Sequence, residues 1–149
     1  MQCKKVVIGS DHGGFELKET LKAELARLGL EVDDVGTHET NSCDYPVFAD
    51  TVAQSVAGAE PDILGVLICG TGLGMSMSAN RRTGVRAAAC CNEYMARMAR
   101  AHNNANVLCL GQRVVGPGTA MSVLEAFLEA EFEGERHQRR IAMFDTAGA

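Results

Sequence analysis

The chain has 149 residues, 46% of them hydrophobic, and a formal net charge of −5. That length and apolar share suit one domain with a sizeable core, and we expect a single domain over residues 1–149. The acidic balance excludes a protein that wraps nucleic acid, because neutralising phosphates needs a broad basic face.

The N-terminal apolar run ending at Gly9 is too short for a signal peptide, and no later segment is long and apolar enough to span a bilayer. A cytoplasmic protein is therefore expected, with no membrane partner. Its six cysteines contain no Cys-x-x-Cys pair, so neither a zinc knuckle nor a thioredoxin motif is indicated. In a reducing compartment most should be buried thiols.

Lys5 to Gly9 reads as a first strand. A helix follows over Phe15 to Leu28, with Leu17, Leu21, Leu25 and Leu28 at helical spacing and Gly29 as its stop. Leu30 to Val35 is a second strand, the polar stretch Thr37 to Asp44 a loop, and Val47 to Ala57 a helix. Ile63 to Ile68 is the clearest strand, a continuous apolar run of the kind buried on both faces of a parallel sheet. Beyond it come a glycine-rich turn at Gly70 to Gly74, a short helix to Asn80, and a strand at Val85 to Ala89. A helix over Glu93 to Ala101, a strand at Asn106 to Leu110, and an amphipathic helix using Met121, Leu124, Phe127 and Leu128 complete the series.

Strand and helix alternate throughout. The expected fold class is α/β, a three-layer Rossmann-like domain with a mainly parallel five-stranded sheet. Ligands of such sheets bind beyond the C-terminal ends of the strands, where crossovers leave to opposite faces. If the first and third strands are neighbours, Ser10 to Gly14 and Cys69 to Gly74 face each other there.

The segment Cys69-Gly70-Thr71-Gly72-Leu73-Gly74 sets a thiol at a strand end before glycines whose amides can turn inward, an arrangement suited to an anion. Cys69 is a candidate base or nucleophile; the alternative is a small buried hydrophobe. A cysteine-phosphatase loop would need arginine where Met75 stands. The Gly-Lys-Ser/Thr triplet of a P-loop is missing, and the dinucleotide fingerprint lacks its third glycine.

Asp11 and His12 follow the first strand and could reach a ligand, although Asp11 could equally cap the next helix. His102 and Asn103 end a helix on the side where a strand begins, far from the crevice of their own subunit. Asn80-Arg81-Arg82 reads as a solvated turn, and Glu31, Asp33 and Asp34 as solvated surface. Arg136 and Arg140 share a face if their segment is helical, a spacing that suits a phosphate, whereas a solvated basic tail is the alternative.

Several blocks in order then carry a resemblance: Gly-Ser-Asp-His-Gly-Gly-Phe at 9–15, Asp-Tyr-Pro at 44–46, Ile-Cys-Gly-Thr-Gly-Leu-Gly at 68–74, His-Asn at 102–103, Gly-Gln-Arg-Val-Val-Gly at 111–116 and Glu-Gly-Glu-Arg-His-Gln-Arg-Arg at 133–140. Together they resemble the B-type ribose-5-phosphate isomerases and their galactose-6-phosphate and allose-6-phosphate relatives. The resemblance implies an aldose–ketose isomerase of sugar phosphates that needs no metal and no cofactor. It makes Cys69 the base that moves a proton between C1 and C2 through a cis-enediolate, with Thr71, Gly70, Gly72 and Gly74 around that intermediate.

By the same resemblance Asp11 handles protons on the substrate oxygens, His102 assists ring opening, and Tyr45 and Asn103 bind the sugar. His12, Arg113, Arg136 and Arg140 would hold the phosphate. A homodimer or dimer of dimers is implied, with the region of His102, Asn103 and Arg113 reaching the other subunit's site. A branch of the family uses a glutamate just after the glycine turn; Met75 stands there, which fits the cysteine-using branch. The leading expectation is interconversion of ribose 5-phosphate and ribulose 5-phosphate. Allose or galactose 6-phosphate isomerisation, or a non-catalytic sugar-phosphate sensor, are the alternatives.

Overall fold

Val6, Val7 and Ile8 have almost no solvent exposure, and the same holds for Leu64 to Ile68, so both segments are central strands coated on two faces. The computed structural model describes residues 1–145. In chain order they form β1 (Lys5–Ser10), a 3-10 turn (His12–Gly14), α1 (Phe15–Arg27), β2 (Glu31–Asp34), α2 (Tyr45–Val56), β3 (Ile63–Cys69) and α3 (Leu73–Ala79). Then follow β4 (Ala87–Ala89), α4 (Glu93–Ala101), β5 (Val107–Gly111), α5 (Pro117–Glu129) and α6 (Arg136–Asp145).

The five strands lie in the order β2-β1-β3-β5-β4, and every pairing is parallel. The α/β, Rossmann-like architecture expected from the sequence is thus observed. Alternate residues of the strands feed two apolar layers. On one face Val6, Ile8, Val66 and Ile68 meet Leu17 and Leu21 of α1, Ala96 of α4, and Leu124 and Phe127 of α5. On the other, Val7 and Leu67 meet Val52 and Val56 of α2 and Met75 and Ala79 of α3.

Element boundaries moved where local hydrogen bonding overrode the apolar pattern. The second long helix starts at Tyr45 rather than Val47, because Pro46 fits the first helical turn, whose amides have no helical partner anyway. The strand expected from Val85 begins at Ala87. The Val85 amide turns back to the Arg82 carbonyl, and the Arg86 amide is taken by the side chain of Asn106. Asn80-Arg81-Arg82 is more than a solvated turn: the Asn80 amide group both donates to and accepts from the Ala87 backbone, and Arg82 pairs with Asp50 at 2.7 Å.

A larger correction concerns Asp34, read from the sequence as solvated surface. Lys18 lies on the inner face of α1 with its side chain fully buried, and its Nζ sits 2.6 Å from Asp34 Oδ2 and 3.1 Å from Glu19. Burial alone would raise the Asp34 carboxyl, but hydrogen bonds from Lys18, Lys22 and the Gly36 amide outweigh it and hold it below the ordinary carboxylate value. Asp34 Oδ1 accepts from the Gly36 amide at 2.9 Å, and the 36–37 backbone in turn pairs with Ser10. The buried ion pair therefore fixes the loop beside the end of β1, next to Asp11.

Candidate active site

Because β1 pairs with β3, with Ser10 opposite Ile68, the two chains leave the sheet side by side. Asp11 is buried and its Oδ1 accepts from the Gly13 amide at 2.9 Å, so it caps the 3-10 turn as well as facing the crevice. The turn presses on the end of β3: a Cβ on Gly14 would lie 2.5 Å from the Ile68 carbonyl oxygen, and one on Gly13 3.4 Å from the Gly70 amide. His12 stands exposed at the rim, with the Cys43 amide donating to its Nδ1 at 3.2 Å. That bond leaves the hydrogen of a neutral ring on Nε2.

Cys69 ends β3 and is 5% exposed. Its Sγ accepts a hydrogen bond from the Gly72 amide at 3.1 Å. Gly72 adopts φ +80°, a conformation that side chains disfavour, and this turn is what points its amide back at the sulfur. The Thr71 hydroxyl oxygen accepts from the Leu73 amide. Tyr45, from the start of α2, lies so close over Gly74 that a Cβ there would be 2.7 Å from its ring. On the opposite side, Arg113 stretches along Gly70, its guanidinium 3.6 Å from where a Gly70 Cβ would be.

The backbone locks these loops together. The amides of Gln112 and Arg113 donate to the Cys69 and Gly70 carbonyls, and the Gln112 side chain accepts from the Leu17 amide at 2.9 Å. One chain thus assembles Asp11, His12, Tyr45, Cys69, Gly70, Thr71, Gly72, Gly74 and Arg113 at one end of the sheet. The expected reach of Arg113 into another subunit needs correcting, since it covers the glycine turn of its own chain.

The remaining candidates lie elsewhere. Val107 pairs with Gly65 and Gly111 with Cys69, so His102 and Asn103, which precede β5, sit at the opposite end of the sheet from Cys69. The basic segment forms α6, with Arg136 and Arg140 both exposed. It packs at that far end through His137, whose ring stacks on His102 with centroids 4.1 Å apart. Glu133 Oε2 lies 3.6 Å from His102 Nε2 and 3.4 Å from His137 Nε2. Desolvation, with His102 and Arg136 adding to it, holds His137 below the ordinary imidazole value.

Two clusters of candidate residues at opposite ends of one sheet, each rich in groups that bind anions or move protons, accompany a match of residues 6–144 to the ribose/galactose isomerase family. The chain belongs to that family. It is 48% identical over 138 residues to ribose-5-phosphate isomerase B of Escherichia coli (strain K12), an alignment covering 93% of this chain and 92% of that one. Among solved structures, ribose-5-phosphate isomerase B of Clostridium thermocellum superposes with a TM-score of 0.92 at 50% identity, over 95% of both chains. The Mycoplasma genitalium enzyme, crystallised with bound ribulose 5-phosphate, superposes with a TM-score of 0.92 at 43% identity, over 95% of this chain and 93% of that one.

For this member of the ribose/galactose isomerase family, three supporting groups escaped the sequence reading. Lys18 adjoins the leucine stripe of α1, and a lysine beside an apolar face is a visible cue to a buried partner. Gln112 and the Cys43 amide leave no comparable trace, since their roles depend on loops meeting in space. Four of the six cysteines are buried, as expected, while Cys43 is half-buried and Cys91 exposed. Burial, with a smaller contribution from Cys91, pushes the Cys90 thiol up to about 11, which makes it an inert core thiol. No helix among the described residues is long and apolar enough to cross a membrane.

Proposed function

We propose that this protein interconverts ribose 5-phosphate and ribulose 5-phosphate by proton transfer, in a site completed by a second copy of the chain. The observation that carries the reading is the Cys69 sulfur, held by the Gly72 amide at 3.1 Å in a turn that Arg113 covers at Gly70 and that Asp11 adjoins through the hydrogen bond its amide donates to the Ile68 carbonyl. In the forward direction the Cys69 thiolate takes the proton from C2 of the open-chain aldose, leaving a cis-enediolate. Its C1 oxygen gains a proton as the C2 oxygen loses one, and the Cys69 proton is then delivered to C1, giving the ketose. Asp11 carries the protons between the two oxygens.

Amides of Gly70 to Gly74, already oriented by the turn, suit the charge that develops on the enediolate, because they need not reorganise as it forms. No step calls for a metal. Tyr45 would close the sugar pocket over Gly74. His12 and Arg113 would bind the phosphate from one chain, and Arg136 and Arg140 from the other, which would also bring His102 to the ring oxygen and Asn103 to the sugar hydroxyls. The exposed apolar side chains Leu73 and Met77 on α3 and Tyr94 and Met95 on α4 support such a pairing, since they leave apolar surface for a partner to cover.

The test is ketose formation by the purified protein, in chelator, with ribose 5-phosphate and allose 6-phosphate offered separately. A higher kcat/KM for ribose 5-phosphate is the expected result. Preference for the six-carbon phosphate would keep the chemistry and change the substrate, and binding without turnover of either would overturn the reading in favour of a sensor.

A further inference from the structure

Among the described residues, the far end of the sheet holds three metal-ligating side chains that the proposed proton transfers do not use together: His102, Glu133 and His137, whose ligand atoms all lie within 4.8 Å of one another. Their placement is built into the backbone. The Glu133 amide donates to the Ala101 carbonyl, which ties the segment before α6 to the end of α4. Gly134 and Glu135 then take φ +68° and +52°, turning the chain so that His137 folds back under Glu133.

His137 gives the independent indication of a ligand. It is 6% exposed, and its Nε2 is buried and makes no hydrogen bond, although the Glu133 carboxylate oxygen is only 3.4 Å away. A buried ring nitrogen without a partner is costly and uncommon. A tetrahedral zinc with bonds of about 2.0–2.2 Å holds its ligand atoms roughly 3.4 Å apart, and the separations of Glu133 from the two imidazoles are 3.4 and 3.6 Å.

We propose that His102, Glu133 and His137 bind a divalent transition-metal ion of the zinc class, whose occupancy withdraws His102 from catalysis. Two imidazoles and a carboxylate suit such an ion better than magnesium or calcium, which prefer all-oxygen sets. The rings stack at an interplanar angle of 11°, and parallel rings cannot aim both lone pairs at one point. Binding therefore turns the His102 ring about its terminal torsion, a soft coordinate for imidazole. The exposed guanidiniums of Arg136 and Arg140 work against a cation here, while the Glu133 carboxylate beside both rings works for it. A fourth position stays open for water or a substrate oxygen, as in three-ligand zinc sites.

The inhibitory consequence rests on the isomerase reading; the binding does not. The experiment measures zinc uptake by equilibrium dialysis and the visible spectrum of the cobalt-loaded full-length protein, for wild type, Glu133→Gln and His137→Asn, with melting curves to confirm folding. The wild type should take up about one ion per chain with a tetrahedral cobalt spectrum, and Glu133→Gln should weaken uptake by more than about 100-fold, beyond what loss of an outer-shell partner costs. Glu133→Gln should also keep full activity in chelator and resist inhibition by added zinc. Equal uptake by wild type and Glu133→Gln, or cobalt held by thiolates alone, would overturn the proposal. Zinc uptake that depends on Glu133 in a protein without isomerase activity would leave the site standing and sink the functional reading instead.

Discussion

The Gly72 amide donates to Cys69 Sγ across 3.1 Å, so the sulfur proposed as the base is oriented by the turn it begins. Replacing Cys69 by alanine removes that proposed base and leaves the turn and the proposed phosphate-binding side chains in place. Turnover should fall by about 10²–10⁴, the usual worth of a positioned acid or base, while the affinity for a sugar-phosphate ligand changes little. Steady-state rates and calorimetry on the same preparation check both halves, and turnover retained by Cys69→Ala would remove this residue from its role.

Cys69 and His102 sit at opposite ends of the sheet, so the proposed site requires a second chain to bring them together. Cys69→Ala and His102→Ala should each be nearly inactive. Unfolded and refolded as an equal mixture, they should regain about a quarter of wild-type activity, because half the dimers are mixed and each of those rebuilds one intact site in two. No recovery on mixing would show that the two residues do not share a site across subunits.

The metal-free chemistry has its own check. Activity should be unchanged after exhaustive dialysis against chelator, since every proton transfer is assigned to a side chain. A loss restored by a divalent ion would mean that the ion supplies the electrophile.

The Lys18–Asp34 pair makes stability depend on pH in a definite direction. Asp34 is held below its ordinary value in the folded state, so its contribution is fully present above about 3.9, the unfolded value, and is lost as pH falls through the depressed folded value. Asp34→Asn should cost about 3 kcal/mol near neutral pH, the lower end for breaking a buried pair because Glu19 also reaches Lys18. Urea unfolding should show that penalty shrinking at about pH 3, and an equal penalty at both pH values would contradict the assignment.

Close approach of backbones makes a second stability test. Alanine at Gly14 would set its Cβ 2.5 Å from the Ile68 carbonyl, so something in the backbone must shift, at a cost of about 1–3 kcal/mol. The same shift carries Asp11 and Gly13 away from Gly70, and kcat should fall with stability. Gly118, in the first turn of α5, has nothing within 4 Å of its Cβ position, and Gly118→Ala should be neutral or mildly stabilising.

Much of the site was legible because its residues are local in sequence. Cys69 to Gly74 form one turn, Asp11 and His12 one loop, and each follows a strand whose apolar run announces it. A short turn between a buried strand and a helix places its residues whatever the rest of the chain does, so the crevice between β1 and β3 could be anticipated from their order alone. The start of α2 at Tyr45 and the late start of β4 were less legible, since they turn on the rigidity of Pro46 and on a single side chain, Asn106, competing for an amide.

Long-range relationships belong to the tertiary structure. That Asp34 answers a buried Lys18, that Arg113 covers its own Gly70, and that Glu133 and His137 close on His102 all join segments far apart in sequence, through side chains whose meeting depends on how helices settle on the sheet. The amino-acid order by itself determined the alternating strands and helices, the all but unbroken apolar core and the residues flanking the crevice, because hydrophobic periodicity and turn chemistry act over a few residues. Which of the polar groups are buried, and which of them face one another, was decided only when packing removed water from between them, since a charge or ring nitrogen acquires its partner, and its altered proton affinity, from neighbours that only the fold supplies.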